Sequence, residues 1–200
     1  SYSLDQVKDF YSRRYTGNRV LITAVGNVTG EQVREVVEKY FGHLPAVDDG
    51  LKTSPPQYQK DIKLIHRKDL EQVQLLMGLG TFEATDKRRH ALEILNTYLG
   101  GSSSSRLFQN IRENKGLAYV ISSYTSSYMD SGLLAFYAAT SPDRILQLIG
   151  EIRKELEEVA DGKMTNKDVH RVKSMIETDV ILGMESSSNR MGMLARQVLY

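Results

Sequence analysis

Ser105-Arg106-Leu107-Phe108-Gln109-Asn110-Ile111-Arg112-Glu113-Asn114-Lys115-Gly116-Leu117-Ala118-Tyr119-Val120-Ile121-Ser122-Ser123-Tyr124 decides the fold of this 200-residue chain. It reads as a short helix, a glycine stop and a strand. Gly116 can take the left-handed conformation that reverses the chain at a helix end. Arg112 falls in the last helical turn, where a cation suits the helix dipole. Tyr119 opens the strand that follows. The stop therefore sets Arg112 and Tyr119 on its two sides, where both can face one cleft. A guanidinium offers five donors in a fixed fork and a phenol adds one more. Such groups hold a peptide carbonyl or stabilise the oxyanion formed when water attacks it. Spacing alone leaves the ordinary reading open, because arginines at helix ends and half-buried strand tyrosines are common.

Upstream, Asp86 to Leu99 reads as a helix with Leu92, Leu95 and Leu99 on one face. Gly100-Gly101 and Ser102 to Ser105 read as a flexible loop ending in an N-cap. Asp61–His66 and Glu71–Gly80 read as strands joined by the polar turn Arg67-Lys68-Asp69. Downstream, Met129-Asp130-Ser131-Gly132 turns the chain into another strand, Leu133 to Thr140. Ser141-Pro142 opens a long helix to Ala160, closed by Asp161-Gly162. Thr165 with Asp168 starts a further helix running past Ile181, and a last helical stretch reaches Tyr200.

The N-terminal part has its own pattern. Ser3 with Gln6 and Thr29 with Gln32 are capping boxes. They open helices striped by Leu4, Val7, Phe10 and Tyr11, and by Val33, Val36, Val37 and Tyr40. Val20 to Val25 reads as a β-branched strand that needs a sheet to join. Pro45, Gly50, Pro55 and Pro56 punctuate polar sequence and mark a linker. The expected organisation is residues 1–44 as the end of one domain, 45–60 as linker and 61–200 as a second domain, in a chain cut at both ends. The expected fold is α+β, two-layered, with helices packed on a mainly antiparallel sheet.

Composition narrows the function. A net charge of +1 gives no electrostatic case for nucleic acid. The absence of cysteine excludes disulfides and thiolate metal sites and fits a reducing compartment. No apolar run approaches the roughly 20 residues of a membrane span. His90-Ala91-Leu92-Glu93-Ile94 is the inverted zinc motif His-x-x-Glu-His with Ile94 in place of the second histidine. One histidine and one glutamate cannot supply the three protein ligands of a catalytic zinc. Gly100-Gly101 with its serines lacks the Gly-Lys-Ser/Thr of a phosphate loop, and no Gly-x-Ser-x-Gly elbow marks a serine nucleophile.

Ser104-Ser105-Arg106-Leu107-Phe108, Ile111-Arg112-Glu113 and Lys115-Gly116-Leu117-Ala118-Tyr119 resemble the second, non-zinc domain of the pitrilysin–insulinase zinc metallopeptidases, which include the processing peptidases. Phe10 to Tyr15, Val20 to Val28 and Val37 to Gly42 are similar to the end of that family's first domain. Leu194-Ala195-Arg196-Gln197 resembles the late helix of the second.

The resemblance implies the LuxS/processing-peptidase-like metallohydrolase fold. It implies a parent enzyme that holds Zn²⁺ in a part outside this chain and cleaves peptides or presequences in a closed chamber. It gives Arg112 and Tyr119 substrate binding and transition-state support, and makes Gly100, Gly101, Ser102 and Ser103 a candidate recognition loop. This chain then binds no metal itself. Its partners are a peptide substrate and a zinc-bearing domain of the same chain or of a second subunit, with a dimer for the full-length protein. The expected compartment is the bacterial cytoplasm, with the mitochondrial matrix as the alternative. The same resemblance admits non-catalytic assembly or substrate-binding subunits, and a free-standing peptide-binding module is a third reading.

Overall fold

The computed structural model describes residues 2–47 and 54–200. Gly50 and the middle of the expected linker lie outside the described residues. The chain divides into two compact units, Ser1–Thr53 with Asp179–Tyr200, and Ser54–Thr178.

The first unit holds α1 (Leu4–Arg14), a 3-10 turn (Gly17–Arg19), α2 (Gly30–Phe41) and, near the C-terminus, α6 (Ser187–Leu199). Both capping boxes form. Ser3 Oγ accepts the Gln6 amide while Gln6 Oε1 accepts that of Ser3, and Thr29 and Gln32 repeat the exchange. Each box satisfies two of the amides a helix start leaves unpaired. The apolar stripes these helices carry are exposed, with Leu4, Val7, Phe10 and Tyr11 on α1 and Val36 and Tyr40 on α2. Val20 to Val25 joins no ladder among the described residues, so the expected strand is not one here. Val20 has extended dihedrals (φ −105°, ψ 119°), yet a strand is a paired state and this segment pairs with no described strand. The Thr23 hydroxyl donates to the Met191 carbonyl of α6 at 3.3 Å.

The second unit is built on a three-stranded antiparallel sheet: β1 (Val73–Thr81), β2 (Val120–Ser127) and β3 (Gly132–Thr140), ordered β1-β3-β2. The central strand pairs Met77 with Phe136 on one side and Ser123 with Phe136 on the other. Asp61–His66, expected as a strand, stays outside any described ladder, with Ile62 and Leu64 almost fully exposed. α3 (Arg89–Leu99) and α4 (Ile145–Ala160), with a π-helix at Phe108–Asn114, form the second layer. α5 (Asn166–Gly183) adds Val172, which is fully buried. The core joins Leu92 and Leu99 of α3, Leu107 and Ile111, Leu117 and Ile121, Leu134 and Phe136 of β3, and Leu148 and Ile152 of α4. This is the expected α+β arrangement of helices over an antiparallel sheet.

Two local expectations change. α3 begins at Arg89 rather than Asp86, because the Asp86 carboxylate accepts the Arg88 amide (2.8 Å) and grips its guanidinium in a turn of its own. Ser105 is no side-chain cap: its hydroxyl is buried and bonds no protein group. What ties the helix entry is the Gln109 amide on the Ser105 carbonyl at 2.9 Å.

Candidate functional site

Arg112 projects from the π-helix, in which the chain is wound wider than in an α-helix. Such wide turns are rare and concentrate at functional sites. Buried Leu107 and Ile111 fix the inward face of this helix, and Phe108 and Arg112 fall together on another. The Arg112 guanidinium lies 4.6 Å from the Phe108 ring centroid, and its Nε is 3.8 Å from a Glu113 carboxylate oxygen. The aromatic face attracts the cation without consuming its donors.

The turn that follows is held from several directions. Gly116 has φ +59°, the left-handed conformation foreseen for it. Its amide donates to the Arg112 carbonyl at 3.1 Å, and the Leu117 amide reaches the Ile111 carbonyl at 2.9 Å. Arg144 donates to the Gly116 carbonyl (2.9 Å) and the Thr140 hydroxyl to that of Leu117 (2.6 Å). Lys115 pairs with Glu151 of α4. The Tyr119 amide then bonds the Ala139 carbonyl at 2.9 Å, just before β2 begins. Tyr119 is 59% exposed, and its hydroxyl bonds no protein group among the described residues. No hydrogen bond or ring contact joins Tyr119 to Arg112 among the described residues. The structure thus presents two exposed donors on either side of one braced turn.

The glycine-serine loop is tied down, contrary to the flexible segment its composition suggested. Gly100 and Gly101 amides both donate to the Asn96 carbonyl at 2.9 Å, and the Ser123 amide donates to the Gly100 carbonyl at 3.0 Å. The Ser123 hydroxyl bonds the Asn96 side chain at 2.7 Å. Gln109 donates to the Ser103 carbonyl at 2.7 Å, and Arg171 to the Ser104 hydroxyl at 3.2 Å. The glycines are there for close approach: a Cβ on Gly101 would stand 2.9 Å from the Thr97 Cα. Gly101 and Ser103 are exposed at this rim, and Ser102 is half-buried.

His90 and Glu93 line an open recess of about 370 Å³ with Ile94, Lys173, Ile176 and Glu177. Glu93 accepts the Thr125 hydroxyl at 3.0 Å. Among the described residues no three His, Cys, Asp or Glu side chains converge as a metal site would need. The Lys173 ammonium in the same recess opposes a second cation. The donor set does not fit zinc.

One cluster was missed from sequence. Arg106, six residues before Arg112, donates from Nε to Glu155 and from Nη2 to Glu158, each at 2.6 Å, and lies 3.4 Å from the Tyr98 hydroxyl. Burial opposes its charge, but the bonds to Tyr98 and Glu155 outweigh it and hold its pKa above the ordinary value. Asn110 donates to the other Glu155 oxygen at 2.7 Å. Glu155 is only 5% exposed. Periodicity places Glu155 and Glu158 on α4 but carries no information about which residue of another element they meet.

The second unit is an α+β domain with a braced helix–glycine–strand turn. The chain belongs to the peptidase M16 family: the model of the peptidase M16 inactive domain matches residues 1–176. It is 35% identical over 191 residues to "Uncharacterized zinc protease YmxG" of Bacillus subtilis, covering 96% of this chain and 46% of that one. An uncharacterized zinc protease of Streptomyces coelicolor is 32% identical, covering 98% of this chain and 44% of its own. Among solved structures, a protease from Helicobacter pylori superposes with a TM-score of 0.83 at 26% identity, over 99% of this chain and 49% of that one. A peptidase M16 inactive domain from Pseudomonas fluorescens gives a TM-score of 0.81 at 21% identity, over 96% and 46%, which is a likeness of fold. The chain spans about half the length of the curated relatives it matches. No helix among the described residues is long and apolar enough to cross a membrane.

Proposed function

We propose that this chain is the non-metal part of a zinc metalloendopeptidase that cleaves peptides or presequences in a closed chamber. Arg112 and Tyr119 hold the substrate backbone and support the transition state. The zinc belongs to a domain of the same chain or of a second subunit, and the full-length protein works as a dimer. Gly100, Gly101, Ser102 and Ser103 form a rim against which the peptide is recognised.

The observation that carries this reading is the pairing of family membership with two exposed donors on a braced turn. Arg forks and phenols are suited to a carbonyl that becomes an oxyanion. The exposed apolar stripes of α1 and α2 support the domain assignment of residues 1–44, since such faces are ordinarily covered by another layer. The bacterial zinc proteases among the relatives and the absence of cysteine support a reducing bacterial compartment.

The test is a fluorescence titration of the chain with a labelled, extended, presequence-like peptide. Arg112→Ala should weaken binding about 10-fold or more, the scale of a lost charge-assisted hydrogen bond. Equal affinity for Arg112→Ala and the parent chain would remove Arg112 from the site.

A further inference from the structure

A π-helix is a wound-out register that most sequences abandon for the α-helix, so something in this unit must favour it. The geometry points to one carboxylate. Glu155 of α4 is 5% exposed and uses both oxygens on the neighbouring helix: Oε2 takes Arg106 at 2.6 Å and Oε1 takes Asn110 at 2.7 Å. Arg106 precedes the wide turns and Asn110 lies within them. Glu158 anchors the same guanidinium through a second nitrogen and is itself held by Lys163 at 2.9 Å.

Buried Leu107 and Ile111 fix the helix face turned to the core. Arg106 and Asn110 fix its rotation toward α4. At the far end, past the left-handed Gly116, the Leu117 amide closes on the Ile111 carbonyl six residues back. With both ends set, the azimuth of Arg112 above Phe108 is determined. Winding the same residues as an α-helix would rotate Arg112 about the axis relative to the Gly116 turn and Tyr119.

We propose that Glu155 is a positioning residue: by clamping Arg106 and Asn110 it holds residues 108–114 in the wide register that presents Arg112 to the peptide. The consequence for peptide binding rests on the function proposed above; the consequence for register does not.

The experiment compares the whole chain with its Asn110→Leu, Glu155→Gln and Asn110→Gln variants. Backbone ¹³C shifts over 108–114 and amide hydrogen exchange at Gly116 and Leu117 report the register. The labelled peptide reports binding, with Arg112→Ala alongside. Asn110→Leu removes one arm without stranding a charge, so it reports even if Glu155→Gln fails to fold. Asn110→Leu should shift 108–114 toward α-helical values and speed Leu117 exchange at least 10-fold. Amides of β2 and β3 should stay protected. Peptide affinity should fall about 10-fold, and Asn110→Gln, which keeps a carboxamide donor, should restore register and affinity together. Unchanged shifts and exchange in Asn110→Leu would overturn the proposal. So would a changed register with unchanged affinity where Arg112→Ala does weaken binding. A changed register with no effect of Arg112→Ala would uphold the clamp and overturn only the role given to Arg112.

Discussion

Gly100 lies so close to Ser123 that a Cβ built on it would stand 2.6 Å from the Ser123 amide nitrogen. That amide donates to the Gly100 carbonyl, so the two backbones are bonded where β2 meets the end of α3. Its φ of −153° lies outside the left-handed region, and what excludes a side chain is space. Gly116 is the opposite case. A Cβ there meets nothing within 4 Å, but φ is +59°. Gly100→Ala should cost about 2–3 kcal/mol, the upper range for overpacking against backbone. Gly116→Ala should cost about 1 kcal/mol, the price of a left-handed conformation. Urea denaturation of the two variants, read as the shift in midpoint at constant slope, checks the order.

Several carboxylates hold their protons more weakly than usual. Lys163 is the main cause at Glu158, with Arg106 adding to it. Arg88 lowers Asp86, and the Thr165 hydroxyl and amide lower Asp168. A pKa depressed by folding contributes stability that is complete above the unfolded value, about 4 for these groups. It is lost as pH falls through the lower folded value. Stability should therefore be flat from about pH 7 to 5 and decline in acid. These groups sit at the surface, so 1 M salt should shrink the decline. Melting temperatures across pH 2–7 at low and high salt measure it. A chain whose melting temperature rose on acidification would contradict the sign.

Much of the second unit was legible from sequence because its signals are local. Gly116 takes the positive φ expected of it, Asp161-Gly162 closes α4 as expected, and the Thr165–Asp168 pair caps α5. Met129 to Gly132 turns β2 into β3, with the Tyr128 amide closing on the Ser131 carbonyl at 2.8 Å. The misses are non-local. Val20 to Val25 and Asp61–His66 have strand composition, but pairing depends on an available edge, which composition does not encode. The glycine-serine loop read as flexible because Gly and Ser also build linkers. Here the glycines serve tight packing on Thr97 and Ser123. The Arg106–Glu155–Asn110 clamp joins residues more than forty positions apart, beyond the reach of any periodicity.

Zinc should have no purchase on this chain by itself. His90, Glu93 and Glu177 share their recess with Lys173, but among the described residues no three such side chains converge as a metal site would need. A catalytic zinc needs three protein ligands, and metal that binds the native state raises its melting temperature. Neither excess Zn²⁺ nor a strong chelator should move the melting temperature of the chain, and equilibrium dialysis should recover less than a stoichiometric metal. A reproducible rise with one equivalent of Zn²⁺ would show that the chain holds a metal site of its own.

Arg112 and Tyr119 should act on one substrate group, and a double-mutant cycle can show it. Arg112→Lys keeps the charge but loses the fork and the guanidinium's place over the Phe108 ring, 4.6 Å from its centroid. Tyr119→Phe removes one hydroxyl from a residue that is 59% exposed, and should leave folding intact. If each side chain bonded a separate part of the peptide, the two losses in binding energy would add, as they do for independent sites. If both converge on one carbonyl, removing either frees the other to rearrange, and the double variant should lose less than the sum by about 0.5–1 kcal/mol. Peptide dissociation constants for the parent, the two single variants and the double variant give the coupling directly. Strict additivity would separate the two residues, and a null effect of Tyr119→Phe would leave Arg112 as the lone anchor.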